Sequence, residues 1–160
     1  MKRISRTAAI AAAVGIQAVL VVGAVAPRLS ARLTGEEYLL RVEPVDPIDP
    51  FRGAYVTLAY PDLASPERTP FGDDDVFVRL VRDGDVWRGG GVTSQRPDDG
   101  PYIACQDGYR LRCGIESLFA SQAEARSLER DLASGGAVAR IKVDRRGNAI
   151  VLGLIRGAEH

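Results

Sequence analysis

Apolar positions fall along this chain in three regimes. From Thr7 to Ala26 they are nearly continuous, an uncharged run rich in Ala and Val that includes Gly15, Gln17 and Gly23. About twenty residues at about 1.5 Å rise give a helix of roughly 30 Å, the thickness of a bilayer's hydrocarbon core. Beyond Gly35 the pattern turns to period two. Glu37–Glu43 alternates with Tyr38, Leu40 and Val42 on one face, and Ala54, Val56, Leu58 and Tyr60 share a face in the next run. Alternation of this kind predicts strands with one buried side. Val76–Val81, Asp85–Ser94, Tyr102–Cys105, Tyr109–Cys113, Ile115–Phe119, Val138–Val143 and Ala149–Ile155 read the same way. The third regime is one short helix. Ser121-Gln122-Ala123-Glu124 is a capping box, Ala125, Leu128 and Leu132 share a face, and Gly135-Gly136 stops it.

The polar punctuation between these runs is equally specific. Asp83-Gly84 predicts a two-residue hairpin turn, and Arg145–Asn148 predicts another between the last two strands. Gly89-Gly90-Gly91 lies inside a strand pattern and predicts a bulge or a close backbone approach. A phosphate cradle would need a helix opening after the glycines, often with Lys, and neither follows. Pro61–Asp75 is a surface loop holding Asp73, Asp74 and Asp75. The stretch from Val42 to Tyr60 looks like the organiser of the fold. Pro44, Pro47 and Pro50 make a stiff, non-helical arm carrying Asp46 and Asp49, Arg52 and Gly53 make a corner, and a central strand follows. The fold class expected is mainly β (α+β): an antiparallel β-rich domain with one short helix, preceded by a single transmembrane helix.

Composition places the domain relative to the membrane. Lys2, Arg3 and Arg6 precede the apolar run, whereas Arg28 and Arg32 follow it. Ala24-Val25-Ala26 offers small residues for signal cleavage, but Pro27 directly after them is a poor residue at that position. An uncleaved signal anchor fits better, with residues 1–6 cytoplasmic, 7–26 in the bilayer, 27–36 a tether or a continuation of the helix, and 37–160 an extracytoplasmic domain. Acidic and basic residues balance at 21 each, so no global field attracts nucleic acid.

Residues able to do chemistry are few. His160 is the sole histidine and stands where fraying is expected, a poor basis for a Ser-His-Asp site; a Ser-Lys site would have to use Lys142, in the last hairpin without an obvious partner Ser. Asp46 and Asp49, with Glu116 converging on them, could serve as acid and base or bind Ca²⁺, against the plainer reading of turn chemistry with Arg52 as their ion-pair partner. Cys105 and Cys113 lack metal-site spacing. They oppose each other, as a disulfide needs, if the turn between them centres on Tyr109; a turn at Asp107-Gly108 pairs Cys105 with Arg110 instead. Tyr38, Tyr55, Tyr60, Trp87, Tyr102 and Tyr109 could build a sugar platform or pack the sheet. No motif for a metal or a cofactor is present.

Gly53-Ala54-Tyr55-Val56-Thr57-Leu58-Ala59-Tyr60 resembles the signature of the GDYXXLXY family, membrane-anchored bacterial proteins without an established activity. The acidic, proline-containing lead-in from Pro44 to Arg52 is similar to that family's, and Cys113–Phe119 resembles its Gly-Ile-Glu strand. Ala54 stands where the family has Asp, so a function carried by that Asp is absent here. The resemblance implies a membrane anchor, a β-rich domain and a multi-pass membrane protein as partner. Two functions follow as expectations. One is a non-enzymatic cell-envelope module that binds through Asp46, Asp49, Arg52, Gly53, Tyr55 and Tyr60. The other is an envelope hydrolase using carboxylates around Asp46 and Asp49.

Overall fold

The computed structural model describes residues 5–44, 55–63, 72, 75–108, 110–119 and 137–156. Asp46, Asp49, Arg52 and Gly53 of the proline arm, most of the following loop and the helix expected after Ser121 lie outside the described residues.

The apolar run forms α1 (Arg6–Thr34). Its start is set by Ser5, whose hydroxyl accepts from the Ala8 N–H at 3.2 Å and satisfies one of the first turn's orphan donors. The helix runs on through Pro27 to Thr34, so the segment after Ala26 is helical. Ile10, Val14, Val19, Leu20, Val21 and Val22 are all more than half exposed, and no polar stripe separates them. By length and composition the helix can cross a membrane. Its one buried residue is Ala31, near the far end. There Ser30 Oγ donates to Asp144 at 2.5 Å, Lys142 Nζ donates to the Arg32 carbonyl at 3.3 Å, and the Gly35 N–H closes the last turn on the Ala31 carbonyl at 3.0 Å.

Eight strands follow: β1 (Glu36–Pro44), β2 (Tyr55–Ala59), β3 (Asp75–Asp83), β4 (Val86–Thr93), β5 (Tyr102–Gln106), β6 (Ser117–Phe119), β7 (Ala137–Val143) and β8 (Ala149–Arg156). They form one curled sheet in the order β5-β3-β4-β1-β2-β6, with the β7–β8 hairpin attached to β1. The protein is mainly β, as the alternation implies. The sheet is mixed rather than wholly antiparallel, because β1 and β4 pair in parallel at Leu40↔Trp87. Parallel neighbours need a long crossover, and the chain between Pro44 and Val86 supplies it.

The central strand is β1, not β2. Along one edge it pairs with β7 from Glu36↔Val143 to Val42↔Ala137; it also meets β4 at Leu40, and its end takes β2 at Glu43↔Ala59. Its buried face is the predicted one, Tyr38, Leu40 and Val42, which join Val76, Val78, Leu80, Ile103 and Ile141 in a single core. Each fully covered aliphatic side chain there contributes about 1.5–3 kcal/mol. Tyr38 meets Trp87 edge-on with ring centroids 5.0 Å apart, and Tyr102 meets Phe77 at 5.6 Å, so these aromatics pack the sheet.

Two turn readings shift in detail. Asp83 pairs with Val86, so the β3–β4 turn is Gly84-Asp85, one residue later than expected. Gly84 sits at φ +63°, the positive value that a two-residue hairpin favours at this position. The glycine run in β4 does both things proposed for it. The β3–β4 register slips between Val78↔Val92 and Leu80↔Gly89, which leaves one extra residue on β4. Gly89 also donates its N–H to the Asp62 carbonyl at 2.7 Å, and a Cβ there would run into the Leu63 carbonyl. The described part of the expected strand Tyr109–Cys113, residues 110–113, is not a strand. It touches β5 through one bridge, Gln106↔Arg112, whose two N–H···O bonds measure 2.8 and 3.0 Å.

Candidate functional site

The signature stretch enters the fold as β2, between β1 and β6. Its pairing brings the two family-like stretches together: Val56 faces Leu118 and Thr57 faces Ser117. The contact continues past the end of β6, where the Leu58 N–H donates to the Glu116 carbonyl at 2.8 Å. Leu58 is 2% exposed and belongs to the core. Tyr60 turns its phenol onto the backbone before β6, donating to the Ile115 carbonyl at 2.8 Å; Ile115 itself is fully buried. Directly after Tyr60 the chain tightens, with the Leu63 N–H on the Tyr60 carbonyl at 3.1 Å.

Opposite Tyr60 lies a turn built on one carboxylate. Glu116 accepts the N–H of Cys113 and, at 3.0 Å, that of Gly114. A disulfide joins Cys113 to Cys105 on β5, with the Cα atoms 4.1 Å apart. The reciprocal bonds between Gln106 and Arg112 make this geometry possible, since they set their neighbours Cys105 and Cys113 opposite each other; Tyr109, on which the expected turn centred, lies outside the described residues. The signature strand, the Glu116 turn and the end of β5 thus form one connected unit.

Burial first, and the nearby Glu116 charge second, push the Tyr60 phenol far above its ordinary pKa. Tyr60 is consequently a neutral donor fixed on a backbone carbonyl, which suits positioning rather than proton transfer. Tyr38 is raised in the same sense to about 12, by burial and by its hydrogen bond to Glu36 at 3.1 Å.

Of the residues singled out from the sequence, the structure places Tyr60 at this unit, and Tyr55 begins β2 in register with Phe119. Asp46, Asp49, Arg52 and Gly53 lie outside the described residues. Glu116, expected to converge on the two aspartates, has its carboxylate committed to its own turn. Among the described residues no three His, Cys, Asp or Glu side chains are grouped to hold a metal ion.

A second carboxylate, which the sequence reading passed over, performs the same task elsewhere. Asp144 is 6% exposed and follows β7. Its Oδ1 accepts the N–H groups of Arg146 and Asn148 at 2.9 and 3.0 Å; its Oδ2 accepts Asn148 Nδ2 at 2.9 Å and the Ser30 hydroxyl. Burial alone raises its pKa, but the hydrogen bonds from Asn148, Ser30 and the Arg146 N–H together outweigh that and hold it below the usual carboxylate value. The signal was present in the Asp-Arg-Arg-Gly-Asn spacing after a strand, which is turn chemistry with an acceptor at its head. The turn also leans on β5: Tyr102 Oη donates to the Arg145 carbonyl at 2.9 Å, and the Ala104 N–H donates to the Gly147 carbonyl at 2.9 Å.

No curated protein and no solved structure matches the chain. The family model described as "GDYXXLXY protein" matches residues 17–154, a span that takes in half of the helix and nearly all of the sheet. On that match, which includes the signature strand and the Cys113–Phe119 stretch hydrogen-bonded beside it, the chain belongs to the GDYXXLXY protein family.

Proposed function

We propose that this protein is a membrane-anchored, non-enzymatic module of the bacterial cell envelope. In this reading residues 7–26 span the bilayer as an uncleaved anchor, the sheet stands outside the cytoplasm, and the domain assembles with a multi-pass membrane protein. The observation that carries it is the helix itself. It is apolar on every side and exposed until its last turns, where Ser30, Ala31 and Arg32 join the folded domain. A helix that is apolar all round finds its partner in lipid or in other transmembrane helices. The orientation rests on Lys2, Arg3 and Arg6 before the span against Arg28 and Arg32 after it, and on a disulfide, which an oxidising compartment permits.

The binding role is supported by the way two of the described carboxylates are used: Glu116 and Asp144 hold backbone turns. The test is crosslinked pull-down of the full-length protein from native membranes. Recovery of one specific multi-pass protein is expected. Turnover of an envelope polymer by the purified protein, lost on Asp46→Asn or Asp49→Asn, would replace this reading with a hydrolase.

A further inference from the structure

The helix end and the β7–β8 turn together present a group of cations outside any ion pair among the described residues. Three arginines elsewhere on the described surface are ion-paired: Arg41 with Asp62 at 3.2 Å and Asp83 at 3.6 Å, Arg79 with Asp99 at 3.4 Å, Arg88 with Asp83 at 4.0 Å. Arg28 and Arg32 on the last turns of α1, and Arg145 and Arg146 in the turn, are exposed and in no ion pair among the described residues. Two contacts bring them to one place. Ser30, between the helix arginines, is bonded to Asp144, directly before the turn arginines, and Lys142 donates to the Arg32 carbonyl. The one carboxylate at the centre, Asp144, has both oxygens occupied by four hydrogen bonds. Glu36 and Glu37, opposite Val143 and Lys142 in the β1–β7 register, are the acids on the strand beside it, and Glu36 accepts the Tyr38 hydroxyl.

The position of this cluster along the helix is decisive. The uncharged run ends at Ala26, so at about 1.5 Å per residue Arg28 lies about 3 Å and Arg32 about 9 Å beyond the hydrocarbon core. The headgroup layer on each side is about 5–7 Å deep, so the Arg28 backbone lies within it and the Arg32 backbone about 2–4 Å past it, a gap that a long arginine side chain spans by snorkelling back. We infer that Arg28, Arg32, Lys142, Arg145 and Arg146 form a collar that binds the phosphates of anionic lipid headgroups at the exit of the span. The inference rests on the membrane-anchor reading above and adds the lipid class and the residues. Arginine forks match phosphate oxygens bidentately, and each cation near an anionic surface adds attraction that salt screens. Arg96 braces the collar from the domain side, donating to the Arg145 carbonyl at 2.8 Å while its guanidinium lies over the Tyr102 ring.

The experiment uses the full-length protein in phosphatidylcholine vesicles containing trace spin-labelled phosphatidylglycerol or spin-labelled phosphatidylcholine. The fraction of each label immobilised by the protein gives the relative affinity. The expected preference for phosphatidylglycerol is about five- to tenfold, falling below about twofold in 0.5 M salt. The variant Arg28→Gln, Arg32→Gln, Arg145→Gln and Arg146→Gln should lose it, whereas a charge-matched variant, Arg41→Gln, Arg79→Gln, Arg82→Gln and Arg88→Gln, should keep it. Unchanged circular dichroism and an intact disulfide confirm that each variant is folded. Equal loss in both variants, or no preference in the wild type, overturns the collar while the anchor stands. Release of the wild type from the vesicles by alkaline extraction overturns the anchor and the collar together.

Discussion

Two turns in this molecule are each organised by a buried or half-buried carboxylate, and they differ in what else the carboxylate holds. Glu116 gathers the N–H groups of Cys113 and Gly114, both within three residues of itself. Asp144 gathers Arg146 and Asn148 in the same way and then reaches Ser30, 114 residues distant in sequence. The first turn secures a local loop that a disulfide already ties to β5. The second is a joint between the helix and the sheet. One chemical device therefore serves as a loop clamp in one place and as a coupling between elements in the other, and the deciding factor is whether an outside donor completes the carboxylate's shell.

The sharpest way to break this comparison is to remove each carboxylate in turn. Asp144→Ala in the full-length protein should destabilise the fold by about 3 kcal/mol, because it leaves several inward-facing donors without an acceptor. Glu116→Ala should cost about 1–2 kcal/mol, since its turn is more exposed and cross-linked. Chemical denaturation in detergent micelles measures both, and an equal or reversed ranking would remove the distinction. The disulfide comes next. Replacing Cys105 and Cys113 together by Ser should lower stability by about 2–3 kcal/mol, the loop-closure value for so short a ring. In that background Glu116→Ala should become more damaging, because the carboxylate is then the turn's remaining tie.

Acid titration tests the Asp144 turn directly. The Asp144 carboxyl is held below its ordinary pKa in the folded protein, so its contribution is present at neutral pH. That contribution is lost as pH falls from the unfolded value through the lowered folded one. Asp144→Asn should therefore show a shallower fall in melting temperature on acidification than the wild type, and parallel curves would contradict the assignment. Tyr60→Phe, which deletes the bond to the Ile115 carbonyl, should cost about 1 kcal/mol. The smallest effect on global stability belongs to Ser30→Ala, about 0.5–1 kcal/mol. Its readout is local: a spin label near the helix end should gain mobility relative to one on the domain.

What was legible in the sequence was whatever local period and turn chemistry determine. Tyr38, Leu40 and Val42, or Val76, Val78 and Leu80, declare a buried face because a strand's period is two and a core must cover it. The bulge at Gly89–Gly91 was legible for the same reason, since three glycines cannot pack an alternating face. The choice of β1 as the central strand was hidden. It depends on three pairings whose partners lie far along the chain, and no local pattern in Glu36–Pro44 distinguishes a strand with three neighbours from one with two. The parallel β1–β4 contact was hidden likewise. At the candidate site, Tyr60 and the Cys113–Phe119 stretch were visible as motif and resemblance, but that they hydrogen-bond to each other is a matter of register. Ser30 was invisible as a coupling residue, because a serine in the last turns of a helix carries no sign of a carboxylate more than a hundred positions away.

Pro27 carries a mechanical consequence. Without an N–H it cannot bond the Gly23 carbonyl, so one rung is missing from an otherwise continuous helix, at a point where the residue four positions earlier has no side chain to stiffen it. Beyond it, the last turns are bolted to the sheet by Ser30, Ala31 and Arg32. Compliance between rod and head is thereby displaced from the junction at Gly35, where a loop would ordinarily supply it, to about two turns earlier. A change in the rod's inclination would be absorbed at Gly23–Pro27, and the head would swing with its last two turns attached, as a lever pivoting below its own base.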